Sequence, residues 1–131
     1  VVARPADVAQ AIALKDSVDG YLVYTVTLNW GLSGALQQIA RLGKPTLVAD
    51  EYLGGSGLFL CATSSIRRQG LALATVSSTR PDDLSCAARV FADVKKPGTT
   101  PASFAARCED VYRCTFRPGF GMPWPTPATM I

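Results

Sequence analysis

Residues 47–60, LVADEYLGGSGLFL, decide how the rest of the chain is read. The short apolar run TLVAD (46–50) ends in the acidic pair Asp50-Glu51, a loop with Gly54, Gly55, Ser56 and Gly57 follows, and apolar residues resume at Leu58. An apolar run of this length bounded by turn residues predicts a buried strand. The apolar spacing beyond it predicts a helix from about Leu58 to Gln69, with Ser56 as its N-cap and Gly70 as its stop. Strand, loop and helix at these lengths form the repeating unit of a parallel sheet covered by helices.

The unit recurs on both sides of this stretch. Upstream, GYLVYTVTL (20–28) is rich in β-branched and aromatic residues and nearly all apolar, which predicts a strand buried on both faces. Asn29 or Ser33 can cap the helix after it, and Leu32, Ala35, Leu36, Ile39 and Ala40 give that helix a stripe at spacings of three and four. Gly43 ends it, and Lys44-Pro45 prevents its continuation. Earlier still, Pro5 opens a helix carrying Val8, Ala11, Ile12 and Lys15 and stopped near Gly20, while Val1-Val2-Ala3 fits the end of a strand. Downstream, LALATVSS (71–78) predicts a third strand. A helix capped by Thr79, with Pro81 at its start and Asp82-Asp83 in its first turn, then buries Leu84, Ala87, Phe91 and Val94. Lys95-Lys96 and Gly98 close that helix, and Thr100-Pro101 opens a last one with Phe104, Cys108, Val111 and Tyr112 on one face.

This alternation predicts an α/β fold: a three-layer sandwich with a short parallel sheet, Rossmann-like or flavodoxin-like, joined by right-handed crossovers. Residues 1–114 form one α/β domain in this reading, and residues 115–131 form a Pro/Gly-rich extended arm or linker. Its Phe116, Phe120, Met122 and Trp124 predict that the arm packs on this domain, a neighbouring one or another subunit. Three main strands are few for such a sheet. Either Val1–Ala3 adds an edge strand, or the chain is part of something larger.

Composition narrows the function. The net charge is +3 and the basic residues are scattered, whereas nucleic-acid binding needs a concentrated basic face, so no nucleic-acid partner is expected. No apolar run is long enough to span a bilayer, so none is expected there either, and the expected location is cytoplasmic. Charged residues make up 18% of the chain, below the usual quarter, which suits a domain that packs against a neighbouring domain or in a homo-oligomer. Four cysteines do not make a disulfide scaffold at this length: Cys61 and Cys86 fall on predicted apolar helix faces, and Cys108 and Cys114 are expected as reduced thiols. Histidine is absent, which removes Ser-His and Cys-His pairs and histidine-based metal sites.

In open parallel sheets, ligands bind beyond the carboxyl ends of the strands where strand order reverses. Three loops occupy such positions: 27–31 with Asn29 and Trp30, 50–57, and 77–80 with Ser77 and Ser78. The Gly-rich loop fails every named motif. No lysine follows Gly57 as a P-loop requires, Leu60 stands where a dinucleotide fingerprint needs a small residue, and Leu58 stands where a nucleophile elbow needs glycine. The amides of Gly55 to Leu58 remain suited to a small anionic or hydroxylated group, with Asp50 or Glu51 bonding to hydroxyls. The candidate ligand-binding residues are thus Asn29, Trp30, Asp50, Glu51, Gly54, Gly55, Ser56, Gly57, Ser77 and Ser78, for a sugar or small anion. Each has a structural alternative: capping for Asn29, Ser56, Ser77 and Ser78, a helix staple for Trp30, a solvated strand end for Asp50-Glu51. No catalytic and no metal-ligating residue is assigned.

The segments DGYLVYTVTLNW, IARLGKPTLVADEYLGGSG and LALATVSS, in this order, resemble the N-terminal α/β region of L-fucose and L-arabinose isomerase-like proteins over roughly residues 7 to 95. The resemblance implies a parent protein that interconverts aldoses and ketoses at a divalent metal, usually manganese, held by Glu, Asp and His of later domains. No cofactor is expected in this chain itself. Its expected role is a non-catalytic domain contributing substrate contact or subunit packing. An independent small-molecule-binding or sensor domain is the alternative, and an enzyme using Asp50 and Glu51 the third.

Overall fold

The computed structural model describes residues 7–26, 29–50 and 54–115, excepting the side chains of Pro81 and 112–115. Along the chain, helix α1 (Val8–Ala13), strand β1 (Tyr21–Thr25), helix α2 (Gly31–Ala40), strand β2 (Thr46–Asp50), helix α3 (Ser56–Arg68), strand β3 (Ala74–Ser77), helix α4 (Pro81–Ala88) and helix α5 (Pro101–Thr115) follow one another. A 3-10 turn over Arg89–Asp93 continues α4. The three strands form one parallel sheet in the order β1-β2-β3. The chain is therefore an α/β protein built on a short parallel sheet. Predicted segments 1–6 and 116–131 lie outside the described residues, and with them the edge strand at Val1–Ala3 and the arm.

β2 is the centre. All five of its residues are buried, as a central parallel strand requires. Its alternating side chains divide the core in two. Val48 packs with Leu36 and Ala40 of α2 and with Phe59, Ala62 and Ile66 of α3. Leu47 packs with Ala74 and Val76 of β3, Ala87 of α4, Val90 of the 3-10 turn, and Phe104 and Cys108 of α5. Two steps in one direction across the sheet with right-handed crossovers put α2 and α3 on the same face. The turns between elements match the sequence: Gly43, Gly70 and Gly98 have φ of +69°, +71° and +81°, where a side chain would be strained.

β1 departs from expectation. It is not buried on both faces: Leu22 is 51% exposed and Tyr24 45%, and Val26 just beyond the strand is 55% exposed. The cause is the reach of the helices. α4 and α5 lie against β2 and β3, so the face of β1 that continues the Leu47 side has no described helix over it. Tyr21 holds the strand's beginning, donating from its hydroxyl to the Ala11 carbonyl of α1 at 2.8 Å. Burial, and then the negative charge of Asp16, raise its pKa above the ordinary 10.0. Val23 turns inward against the α2–α3 cluster.

Other boundaries shift by local chemistry. β3 is only Ala74–Ser77, not 71–78, because Leu71 to Leu73 still belong to the descent from α3. α4 stops at Ala88, so Val90 takes the fully buried place and Phe91 and Val94 pack beside it, partly buried. Cys61 is exposed and Cys86 half-buried, against expectation. On α3 the inward stripe is Leu58, Phe59, Ala62, Thr63 and Ile66, which turns Cys61 to solvent. The thiol of Cys108 is buried and unpaired with any other cysteine. Burial, with Glu109 adding to it, pushes that thiol up to about 12.

Candidate functional site

Parallel strands bring their carboxyl ends to one edge of the sheet, so the segments after β1, β2 and β3 meet there. The strand order β1-β2-β3 contains no reversal among the described residues, however, and the crevice of a reversal point is absent from them. What this edge offers instead is a row of polar side chains. Register pairs Thr25 with Asp50 and Asp50 with Ser77, so the last residues of the three strands stand side by side on one face. That face is the one carrying Val48, and hence α3.

Asp50 is the centre of the row and is 5% exposed, which overturns the expectation of a solvated strand end. Ser77 Oγ donates to its Oδ2 at 3.0 Å. Its Oδ1 is buried and has no hydrogen-bond partner among the described residues. Thr25 is fully buried and donates from Oγ1 to the Ala49 carbonyl at 3.1 Å. Sequence reasoning passed over Thr25 because it lies inside an apolar strand. Its place two residues before the end of the TVT run, on the inward parity of Val23, was the available signal.

The Gly-rich loop has a packing role that the sequence did not indicate. α3 begins at Ser56 itself, Gly55 occupies the N-cap position, and no side chain caps the helix. Ser56 is therefore its first residue and not its cap, and Gly57 is a helical residue exposed to solvent. Gly55 is buried, because it lies directly on the Thr25 carbonyl. A Cβ there would collide with that oxygen and stand 2.9 Å from the Thr25 carbonyl carbon and Oγ1. The Cα of Gly55 is thus pressed on β1, and the Leu58 side chain is fully buried. Gly54 is a half-buried turn residue. Glu51 lies outside the described residues.

The outer loops are mostly capping devices. Asn29 Oδ1 accepts the Gly31 N–H at 3.0 Å and starts α2, which leaves Ser33 inside the helix. Trp30 is 65% exposed at the head of α2, so it does not staple its own helix. Ser78, not Thr79, serves α4: its Oγ accepts the Arg80 N–H at 3.1 Å and donates to Asp83 Oδ2 at 2.5 Å. Asp83 is 3% exposed at the positive end of α4, with Arg80 Nη2 at 3.9 Å from an Oδ1 that makes no hydrogen bond among the described residues. Ser77 and Ser78 point to opposite faces, one to each carboxylate.

A depression of about 230 Å³ lies elsewhere, among Asp93, Lys96, Gly98, Thr99, Ser103 and Arg107. It belongs to the opposite edge of the sheet. Phe91, just before it, stands where a Cβ on Gly20 would meet both its ring and the Pro45 carbonyl at 2.6 Å, and those residues precede β1 and β2. Asp93 fills the polar side of this depression, accepting from Lys96 Nζ at 2.5 Å and Arg107 Nε at 2.8 Å. Reciprocal bonds between Thr100 and Ser103 cap α5 beside it. Its cations are already engaged by the carboxylate.

Among the described residues no group of three or more His, Cys, Asp and Glu side chains is placed to hold a metal ion. No described helix is long and apolar enough to cross a membrane. No family model, curated protein or solved structure matches the chain.

Proposed function

We propose that this chain is a packing and ligand-contacting domain of a larger α/β protein, of the sugar-isomerase-like kind that its sequence resembles. The observation that carries this reading is β1. Its composition is that of a strand covered on both sides, yet Leu22, Tyr24 and Val26 stand half-exposed on one face. Among the described residues no strand pairs with its outer edge. Natural edge strands are guarded by lysine, proline or a bulge. Tyr21 to Val26 contains no charged residue and no proline. An unguarded apolar edge is a surface to be covered in an assembly.

The separate apolar clusters on either side of β2 support a three-layer, flavodoxin-like arrangement that continues past β1. Chemistry at manganese, in such a parent, would belong to other domains, and this chain would contribute a surface and the polar strand ends.

Taken by itself, the chain is expected to cover β1 with a second copy. Sedimentation analysis over a wide concentration range should show reversible self-association, and Leu22→Lys should abolish it with little change in thermal stability. A wild-type chain that stays monomeric throughout would refute the reading.

A further inference from the structure

We infer that the Thr25–Asp50–Ser77 row is a binding site for a vicinal diol, anchored by Asp50 Oδ1. The inference rests on the ligand-contact half of the function proposed above and assigns it to particular atoms.

The first observation is the unsatisfied oxygen. A buried acceptor without a donor bears its full desolvation cost with nothing to offset it, so native structures rarely leave one empty. Asp50 is 95% buried, its Oδ2 is held by Ser77, and its Oδ1 has no partner among the described residues. The neighbouring polar groups cannot rotate to serve it without loss. The Thr25 hydroxyl is spent on the Ala49 carbonyl, and the Ser77 hydroxyl already donates to Oδ2.

The second observation is the head of α3. The first turn of any helix presents free N–H groups, and no side chain caps this one. Gly55 brings it onto Thr25, the strand neighbour of Asp50, on the same face. One small region therefore offers an acceptor and several donors. The donors do not suit a cation, which would meet the positive end of α3, and the carboxylate does not suit an anion. A neutral hydroxyl pair fits both: one hydroxyl donates to Asp50 Oδ1, and its neighbour accepts from the first-turn amides of α3. Sugars and linear polyols carry that pair, and monohydric alcohols do not.

The test titrates the full chain with aldoses, ketoses and linear polyols, and follows backbone amides by two-dimensional NMR together with the unfolding midpoint. Saturable shifts centred on Gly55, Ser56, Gly57 and Ser77 are expected, with a raised midpoint. Asp50→Asn should weaken the binding roughly ten- to hundred-fold, the loss typical of a hydrogen bond to a charged group. Should Asp50→Asn unfold the chain, competition on the wild type decides: 1,2-diols displace the sugar and 1-propanol does not. Saturable shifts at these amides with ammonium, methylammonium, a divalent cation or phosphate, and none with diols, would overturn the assignment. So would no shift with any diol. Self-association through β1 is read separately by sedimentation, so failure here leaves that reading standing, and the reverse holds equally.

Discussion

Gly55→Ala puts the reading of the Gly-rich loop at risk with a single methyl group. Gly55 has φ of −124°, an ordinary value for any residue, so a penalty cannot come from backbone strain. It must come from contact. The added carbon would overlap the Thr25 carbonyl oxygen and stand 2.9 Å from both the Thr25 carbonyl carbon and Oγ1. Two of these atoms are backbone of a strand that is hydrogen-bonded to β2, and they cannot swing aside as the tip of a side chain would. Relief requires α3 to shift away from β1, loosening the packing of Leu58 and Phe59 beneath it. Overpacking of this kind costs about 3 kcal/mol. For a chain of this size that lowers the unfolding midpoint by about 10 °C. Gly34→Ala is the matched control. It lies inside α2 with nothing within 4 Å of the new carbon, and should stabilise the protein by about 0.5–1 kcal/mol through helix propensity alone. Thermal or urea unfolding followed by circular dichroism measures both. A Gly55→Ala midpoint within about 2 °C of wild type, a shift worth well under 1 kcal/mol, would show that Gly55 is not in contact with Thr25.

Two further predictions concern titration and reactivity. The hydrogen bond from Lys96, opposed by partial desolvation and aided by the charges of Arg107 and Lys96, holds the Asp93 carboxyl below its ordinary 3.8. A group lowered on folding stabilises the folded state above its unfolded pKa and loses that contribution as pH falls through the folded value. Asp93→Asn should therefore lower stability near neutrality and flatten the fall below about pH 4, the two proteins converging in acid, and an unchanged acid limb would refute the network. Cys61 is exposed, whereas the Cys108 thiol is 1% exposed and pushed up to about 12. Native labelling with iodoacetamide, read by peptide mass spectrometry, should modify Cys61 and leave Cys108 untouched until the protein unfolds; equal rates would contradict the packing of α5.

The sequence by itself determined the alternation, and with it the class. TLVAD is β2 to the residue, because a short, mostly apolar run between Pro45 and an acidic pair is suited to a buried strand. The stripe Leu32, Ala35, Leu36, Ile39 and Ala40 points inward as its spacing demands, and Gly43, Gly70 and Gly98 stop their segments at positive φ. These are local facts, set by side-chain periodicity and backbone sterics. Asp50 and Ser77 were also visible as polar residues at strand ends.

Their meaning was decided only by the tertiary structure. Register alone joins Asp50 to Ser77 and sets Thr25 beside them, across gaps of 25 and 27 residues that no local pattern spans. Packing alone presses Gly55 on a strand 30 residues earlier in the chain. The reach of α4 and α5 alone leaves Leu22 and Tyr24 in the open, although their composition asks for cover. Periodicity records which side of an element is apolar. Whether another element lies over that side depends on strand order and helix placement, which are properties of the assembled chain.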